Sequence, residues 1–301
     1  MSEQSNAGFR CGFAALVGRP NVGKSTLINA LVGQKLSIVT PRPQTTRHRV
    51  LGLVNLPQAQ IAFVDTPGLH HHGSRALNKA MNRTAAAAAV DADLVVFVVE
   101  ALRFTDEDEL ALRRARESGR PVLAVVNKVD KVADKTRLLP WLQQLSARHE
   151  FVEVIPLSAN NPRDVNRLLP LIARHLPESP PLFPDDQITD RSESFRIAEV
   201  IREKLTLELN QEVPYGIAVE VEGVNTEPDG QKVVSAIIWV DREGQKPIVI
   251  GAGGERLKRV GSAARRELNE ILGQRLHLTL WVKVREDWAD NAQALRQLGL
   301  E

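Results

Sequence analysis

The chain has 301 residues, a length typical of two domains, and hydrophobic residues make up 43% of it, enough to build packed cores. Its formal net charge of +2 excludes a strongly basic or acidic protein, and its one cysteine, Cys11, excludes an internal disulfide and fits a reducing cytosol. No apolar run approaches the roughly 18 residues of a membrane span, and the polar N-terminus has no signal-peptide core, so the sequence predicts neither a transmembrane nor a secreted protein.

The first half of the chain alternates short apolar runs with helical patterns. The apolar runs predict strands at 13–17, 61–64, 94–99, 122–126 and 152–156, and the patterns between them predict helices at 24–32, 106–118 and 135–148. Such an alternation is typical of an α/β domain with a mainly parallel sheet and helices on both faces. We place this domain at residues 1–176.

A segment with four prolines and several acids, residues 177–190, follows this domain and predicts an extended linker. Beyond it the predicted order is a helix at 195–209, strands at 217–224 and 233–240, a glycine cluster, a helix at 255–272 and a strand at 277–284. This order predicts a separate, smaller α+β domain at residues 191–301.

The stretch GRPNVGKST, from Gly18 to Thr26, connects the first predicted strand to the first predicted helix. Its spacing of two glycines, a lysine and a serine is typical of a phosphate-binding P-loop, with a chance match in a glycine-rich turn as the alternative. Backbone N–H groups would form an anion cradle, Lys24 would face the terminal phosphates, and the Ser25 hydroxyl would reach Mg²⁺. The predicted nucleotide-binding residues of this loop are Gly18, Asn21, Val22, Gly23, Lys24, Ser25 and Thr26.

Two motifs after later strands indicate guanine. In NKVD, at 127–130, the Asp130 carboxylate can accept hydrogen bonds from the N1–H and N2–H₂ edge of guanine, which adenine lacks; a polar turn is the alternative. The weaker pair Ser158-Ala159 would place its backbone at the base carbonyl. We therefore predict GTP and GDP as ligands, and Asp130 argues against ATP. The predicted base-binding residues are Asn127, Lys128, Asp130, Ser158 and Ala159.

Residues between the loop and NKVD predict a metal site. In DTPG, at 65–68, Asp65 can hold Mg²⁺ through water and the Gly68 N–H can face the γ-phosphate, whereas an ordinary turn is the alternative. In PRPQTTRHR, at 41–49, a threonine can reach Mg²⁺ only when a γ-phosphate is present, and we choose Thr46 over Thr45. A solvated basic loop is the alternative there. The predicted metal ligands are Ser25, Thr46 and Asp65, and the predicted catalytic residues are Lys24, Thr46 and Gly68.

Taken in chain order, the loop at 18–26, the segment at 41–49, DTPG at 65–68 and NKVD at 127–130 resemble the translation-factor-like branch of P-loop GTPases over residues 10–176. Leu69 stands where the Ras-like pattern has the glutamine that orients the attacking water. The resemblance therefore implies slow hydrolysis unless a partner, a cation or backbone groups position that water. Asn21 resembles the asparagine of potassium-responsive members, which makes K⁺ a candidate cofactor, with a turn-forming role as the alternative.

The glycine cluster in the second domain indicates RNA. The turn from Gly251 to Gly254 precedes a helix with clustered basic residues, and KH domains clamp single-stranded RNA with such a turn. The order of elements matches a type II KH domain, and the run Ile248–Ile250, including Val249, would form an apolar floor for bases. The predicted RNA-binding residues are Ile248, Ile250, Gly251, Ala252, Gly253, Gly254, Arg256, Lys258 and Arg259.

The charge of the second domain restricts this prediction to a local patch. Residues 190–301 contain 16 Lys+Arg and 19 Asp+Glu, a net charge of −3, whereas residues 1–189 carry a net charge of +5. A basic nucleic-acid domain would be strongly positive throughout. A solvated basic helix face is therefore the alternative.

Longer stretches, among them ITDRSESFRIAEVIREKL and DREGQKPIVIGAGGERLKRVG, resemble the Era family of bacterial GTPases across nearly the whole chain. The resemblance implies a P-loop GTPase domain followed by a type II KH domain, in a GTP-controlled protein that binds the 3′ end of small-subunit ribosomal RNA and assists 30S subunit assembly. It also implies a cytoplasmic monomer that associates peripherally with the inner membrane; a membrane switch whose second domain holds protein or lipid is the alternative. Two positions depart from the family pattern, Gly253 in place of a lysine and Pro162 in place of a glycine.

Overall fold

A computed structural model of the chain describes residues 8–42, 45–67, 76–209, 216–228 and 230–299. These residues form two compact units. The first draws its described residues from Met1–Ser37, Thr46–Gly73 and Met81–Asp190, and the second draws them from Ile38–Thr45, Ser74–Ala80 and Arg191–Glu301. The predicted Gly68, together with Leu69, lies outside the described residues.

The first unit contains a six-stranded sheet in the order β2-β3-β1-β4-β5-β6. The strands are β1 (Arg10–Val17), β2 (Val50–Leu56), β3 (Ala59–Asp65), β4 (Leu94–Glu100), β5 (Val122–Asn127) and β6 (Glu153–Pro156). The helices in this part of the chain are α1 (Lys24–Val32), α2 (Ala76–Asp91), α3 (Asp106–Glu117), α4 (Leu138–Ser146) and α5 (Pro162–Ala173). Only the pair β2–β3 is antiparallel among these strands, so the predicted mainly parallel sheet is confirmed.

Helices cover both faces of this sheet. On one face α1 and α5 pack against the strands through residues such as Leu27 and Leu168, and on the other face α3 and α4 pack through Leu112 and Leu145. Strand β4 is fully buried from Leu94 to Val99, which explains why its sequence is a continuous apolar run. The strand order reverses beside β1, because β3 and β2 lie on one side of it and β4, β5 and β6 lie on the other. Ligands of open α/β sheets bind at such a point, beyond the carboxyl ends of the strands.

The proline-rich segment after residue 176 lies against the first unit. Its Pro177 carbonyl accepts a hydrogen bond from the Cys11 N–H at 3.1 Å. The buried Gln60 amide oxygen accepts from the N–H groups of Leu182 and Phe183 at 2.8 and 2.9 Å. The segment contains a turn in which the Gln187 N–H donates to the Pro184 carbonyl at 3.1 Å, and its residues belong to the first unit. A linker role for it stays a prediction.

The second unit contains a three-stranded sheet in the order β7-β8-β9, with β8 antiparallel to β7 and parallel to β9. The strands are β7 (Ile217–Thr226), β8 (Lys232–Val240) and β9 (Leu276–Val284), and the helices are α6 (Glu193–Glu208), α7 (Lys246–Ile250), α8 (Glu255–Leu272) and α9 (Ala292–Gln297). The predicted order of helix, two strands, glycine turn, helix and strand is confirmed, with the short α7 added before the turn. Within the described ranges, the helices are too short or too polar to cross a membrane.

Candidate functional site

The loop between β1 and α1 has no room for side chains at its two motif glycines. A Cβ atom at Gly18 would lie 2.4 Å from the Val98 carbonyl oxygen on β4, and one at Gly23 would lie 2.3 Å from Asn127 Nδ2. Gly23 also has a φ of 101°, which L side chains rarely adopt. The glycines of the P-loop pattern are therefore required by the strands that surround the loop.

Side-chain donors hold the carbonyl groups of this loop. The Lys24 ammonium donates to the carbonyl oxygens of Gly18 and Arg19 at 2.8 and 3.0 Å. The next three carbonyls are held by Arg19 Nη1 on Pro20 at 3.3 Å, Lys128 Nζ on Asn21 at 2.6 Å and Asn127 Nδ2 on Val22 at 2.9 Å. An anion cradle binds its ligand through backbone N–H groups. The carbonyl oxygens of this loop accept from donors of the protein itself, so they need not face the ligand.

Lys24 is a buried cation at the base of the loop. Burial lowers the pKa of its ammonium to about 8, the nearby Asp65 opposes this shift, and the Arg19 guanidinium adds to it. Because an unpaired charge is costly inside a protein, a bound phosphate would stabilise the Lys24 ammonium. A role for Lys24 at the terminal phosphates stays a prediction.

The three predicted metal ligands lie together. Ser25 Oγ is 2.8 Å from Thr46 Oγ1, and Asp65 Oδ2 accepts from these two hydroxyls at 3.2 and 3.3 Å. The other carboxylate oxygen, Asp65 Oδ1, is buried and has no hydrogen-bond partner among the described residues. Burial raises the pKa of the Asp65 carboxyl, an effect that a bound cation would counter. Hydroxyl and carboxylate oxygens are ligands that Mg²⁺ prefers, so the donor set fits this metal.

The adjacent threonine does not join this group. Thr45 Oγ1 lies 2.7 Å from Thr40 Oγ1 and donates to the Arg42 carbonyl at 2.6 Å. The choice of Thr46 over Thr45 is therefore supported by the geometry, because the Thr46 hydroxyl alone of the two contacts Ser25.

The guanine motif NKVD contains a buried asparagine and an exposed aspartate, which have different contacts. Asn127, at the end of β5, is buried and links Val22 of the loop to the Ala159 N–H, which donates to Asn127 Oδ1 at 2.9 Å. Asp130 is exposed, and its carboxylate has no hydrogen-bond or ion-pair partner among the described residues. Asn127 therefore holds the phosphate-binding loop and the segment after β6 in place, whereas the Asp130 carboxylate is free to accept from a base.

The weaker motif after β6 supports Asn127 in this conformation. The Ala159 N–H donates to Asn127, and the Ser158 N–H donates to Asp164 Oδ2 at 3.0 Å. Both N–H groups thus already have acceptors, so the expected contact with the base carbonyl would need one of them to be shared. Pro162 is the first residue of α5, a position where the missing N–H costs nothing, and the departure from the family pattern is accommodated.

The glycine turn of the second unit starts α8. Gly251 has a φ of 78° and a ψ of 169°, and a Cβ there would lie 2.7 Å from Arg256 Cβ, so a side chain at this position would distort the turn. Gly253 is exposed, and a Cβ there would meet no atom within 4 Å. The turn is therefore fixed at Gly251 and open at Gly253, the position that carries a lysine in the family pattern.

Among the predicted basic contacts, Lys258 is the least engaged. The Arg256 guanidinium donates to the Ile248 carbonyl, and Arg259 pairs with Glu208 at 3.2 Å. Lys258 is exposed, and its ammonium has no partner among the described residues. A phosphate near the turn would therefore meet Lys258 without displacing another contact.

The predicted apolar floor needs a correction. Val249 is fully buried in the core of the second unit, because the run at 248–250 forms the short helix α7 and turns this side chain inward. Ile248 is 43% exposed and Ile250 is partly exposed, so these two remain candidates for contact with bases.

A charged cluster beside the loop escaped the sequence reasoning. The buried Arg19 contacts Asp108 Oδ2 at 3.0 Å and Glu100 Oε2 at 2.7 Å, and Glu100 Oε1 lies 3.3 Å from Lys128 Nζ. The available signal was Glu100, a charged residue directly after six apolar residues of a buried strand.

Comparisons with known proteins agree with both units. A family of GTPases described as 50S ribosome-binding matches residues 13–128, and the KH domain family matches residues 212–289. GTPase Era of Marinobacter nauticus is 49% identical over 300 residues, which cover 100% of this chain and 98% of that protein. The chain belongs to the Era family of GTPases. The Era protein of Pseudomonas aeruginosa is 48% identical over 99% of this chain and 98% of its own length.

Two solved Era structures extend the agreement to three dimensions. One is Era in complex with MgGDPNP and nucleotides 1506–1542 of 16S ribosomal RNA, with a TM-score of 0.92 at 39% identity over 97% of this chain and 99% of that one. The other, an Aquifex aeolicus Era variant bound to GDP·AlF₄⁻, has the same TM-score, identity and coverage. The predicted fold, a P-loop GTPase domain followed by a KH domain, is confirmed for this Era-family chain.

Proposed function

We propose that this GTPase uses its nucleotide cycle to control the binding of its KH domain to the 3′ end of small-subunit ribosomal RNA, and so assists 30S subunit assembly. The observation that carries the proposal is the similarity over 97% of the chain to an Era protein held with both MgGDPNP and a segment of 16S ribosomal RNA. We assign nucleotide binding to residues 1–176 and RNA binding to residues 191–301.

On the nucleotide side, Ser25, Thr46 and Asp65 would hold Mg²⁺ between the loop and the segment at 41–49, here called the switch segment. The metal supplies positive charge to the terminal phosphates when it is bound. Lys24 would exchange its two carbonyl acceptors for phosphate oxygens. The Asp130 carboxylate would accept from the guanine edge, while Asn127 holds the loop against β5.

We also propose K⁺ as a candidate cofactor of GTP hydrolysis. Asn21 has a φ of 63°, which asparagine tolerates better than most residues, and this supports the turn-forming alternative for it. A role for K⁺ predicts faster GTP hydrolysis in KCl than in NaCl at equal ionic strength. Equal rates in the two salts would exclude K⁺ as a cofactor.

On the RNA side, the turn from Gly251 to Gly254 would receive the backbone of a single strand. The N-terminus of α8 favours negative charge there, and Lys258 lies within its first turn. We therefore assign to Lys258 the phosphate contact that a lysine at position 253 makes in the family pattern. Arg256 and Arg259 add charge from the same helix.

The test uses a matched pair at Gly253. Gly253→Asp and Gly253→Asn have nearly the same shape, both residues tolerate a positive φ, and neither Cβ meets an atom within 4 Å. They differ by one negative charge at the turn. We expect the aspartate variant to bind a single-stranded oligonucleotide of the 16S 3′ end at least about tenfold more weakly than the asparagine variant, because the new carboxylate repels phosphate.

Both variants should bind GDP as the parent does, since position 253 lies in the second unit. Equal RNA affinity of the aspartate and asparagine variants would reject the turn as the RNA site. In that case a membrane switch becomes the leading function, and flotation with anionic vesicles tests it. The expected cytoplasmic location, peripheral membrane association and monomeric state are proposals, and the same flotation assay together with light scattering examines the last two.

A further inference from the structure

Four charged side chains form a chain of contacts behind the phosphate-binding loop. The buried Arg19 guanidinium donates from Nε to Asp108 Oδ2 at 3.0 Å and from Nη2 to Glu100 Oε2 at 2.7 Å. The second oxygen of Glu100, Oε1, lies 3.3 Å from Lys128 Nζ. These contacts join a residue of the loop to a residue of the guanine motif.

Asp108 anchors one end of this chain of contacts. It lies in the first turn of α3, and its fully buried carboxylate also accepts from the N–H and the hydroxyl of Thr105, both at 2.9 Å. This reciprocal pairing with the N-cap residue is a capping box, and a negative charge is favourable at a helix N-terminus. Arg19 is therefore tied to the start of α3.

Lys128 forms the other end. Its ammonium also donates to the Asn21 carbonyl of the loop at 2.6 Å. The side chains of Lys128 and Glu100 are 22% and 23% exposed, so water and salt screen their ion pair less than a surface pair. Burial opposes ionisation of Glu100, but the hydrogen bond from Arg19 and the charge of Lys128 bring its pKa below the usual range. Glu100 is thus a carboxylate that bridges two cations.

We propose that Glu100 and Arg19 are positioning residues of the nucleotide site. Glu100, held by Arg19, keeps the Lys128 ammonium on the Asn21 carbonyl, and this fixes the spacing between the phosphate-binding loop and the guanine motif. The proposal rests on the assignment of Lys128 to the nucleotide site.

The charge balance of the cluster tells which side chain responds to a substitution. Two cations face two carboxylates, so removal of the Glu100 charge leaves one cation without a partner. Arg19 is buried and keeps Asp108, whereas Lys128 is closer to solvent. Lys128 is therefore the side chain that leaves its place when Glu100 is neutralised.

The experiment compares Glu100→Gln, Lys128→Met and the double variant with the parent. Glu109→Gln is the control, because Glu109 follows Asp108 on α3 but pairs with Arg116 and Arg148 on the exposed surface, at 3.5 and 3.4 Å. For each protein we would measure the GDP affinity by titration, kcat and KM for GTP, and the thermal midpoint without nucleotide.

We expect Glu100→Gln to weaken GDP binding about tenfold, the effect of one lost charged contact. KM should rise while kcat stays near the parent value, because the positioned site binds the substrate and the transition state alike. The double variant should be no weaker than Lys128→Met alone, since both substitutions act through one ammonium group. Glu109→Gln should match the parent.

Parental GDP affinity in Glu100→Gln, or effects that add in the double variant, would overturn the proposal. A lowered thermal midpoint with unchanged GDP affinity would also overturn it, because Glu100 would then be only structural. If Lys128→Met itself bound GDP like the parent, both the assignment of Lys128 and the proposal would fall. Failure of Glu100→Gln alone would leave the site assignment standing.

Discussion

The hydroxyl oxygens of Ser25 and Thr46 lie 2.8 Å apart, although 21 residues separate them in the chain. Ser25 lies in the first turn of α1, after the phosphate-binding loop, and Thr46 lies in the segment at 41–49, which the sequence predicts to respond to the γ-phosphate. Both hydroxyls contact Asp65 Oδ2 at the end of β3. The loop, the switch segment and the DTPG motif therefore meet at one point in the first unit.

This meeting point makes a prediction for Thr46→Val. Valine has the shape of threonine without its hydroxyl, so the variant would lose one proposed metal ligand and little packing. We expect Mg²⁺-dependent GTP binding and hydrolysis to fall roughly tenfold or more. GDP affinity should stay near the parent value, because we predict that Thr46 reaches the metal only when a γ-phosphate is present. Thr45→Val is the matched control, since its hydroxyl contacts Thr40. Equal loss in the two variants would contradict the choice of Thr46.

Guanine selectivity gives a second prediction, for Asp130→Asn. The amide would suit xanthine, whose C2 oxygen needs a donor, and would lose hydrogen bonds to guanine worth about 1–3 kcal/mol each. We expect GTP affinity to fall roughly 10–100-fold and XTP affinity to rise. Asp134→Asn is the control, because the Asp134 carboxylate accepts from the Thr136 N–H at 3.0 Å and caps its own turn. An unchanged ratio of GTP to XTP affinity in Asp130→Asn would reject the assignment.

The crowding at Gly23 gives a third prediction. In Gly23→Ala the new methyl group would collide with Asn127 Nδ2 at 2.3 Å, and the φ of 101° adds backbone strain. We expect nucleotide affinity to fall at least about tenfold, since the Asn127 amide must leave the loop. Gly33→Ala also has a positive φ but nothing within 4 Å, so it should cost only about 1–2 kcal/mol of stability, measured by urea denaturation, and leave nucleotide affinity near the parent value. Parental GDP binding by Gly23→Ala would show that the loop adapts.

Much of the site could be predicted because each motif is local. Asp65 and Asn127 end the buried strands β3 and β5, and an apolar run followed by a polar residue is visible in the sequence. Strand β2 was not predicted because Gly52 interrupts its apolar pattern. That glycine makes room for Val32 and Leu36, which a Cβ would approach to 2.8 and 2.9 Å. The reason for Gly52 is a tertiary contact that no local pattern contains.

The charged cluster of Arg19, Asp108, Glu100 and Lys128 was also not predicted, because it too depends on tertiary contacts. Arg19 and Asp108 lie 89 residues apart, and they meet because β1 and β4 are neighbours in the sheet. The prediction for Val249 was wrong for a different reason. Three consecutive apolar residues predict one shared exposed surface. The helix α7 instead turns the middle residue into the core.

The salt dependence of RNA binding gives the last prediction. For single strands, log affinity falls with log salt by about 0.7 for each phosphate that a protein neutralises, so contacts from Arg256, Lys258 and Arg259 would give a slope near −2. Lys258→Gln should make this slope shallower by about 0.7 and weaken binding alike for different sequences, because a phosphate contact does not read bases.

The control for Lys258→Gln is Lys283→Gln. Lys283 lies on β9, 3.6 Å from Glu222, and it is outside the glycine turn and α8. Its slope should equal that of the parent, whereas a general loss of positive charge would make both variants shallower by the same amount. Titration of a short 16S 3′-end oligonucleotide at several salt concentrations, with GTP held constant, separates these outcomes. Identical slopes in the parent and Lys258→Gln would mean that Lys258 does not replace the lysine absent from position 253, and Arg256 would then be the next residue to examine.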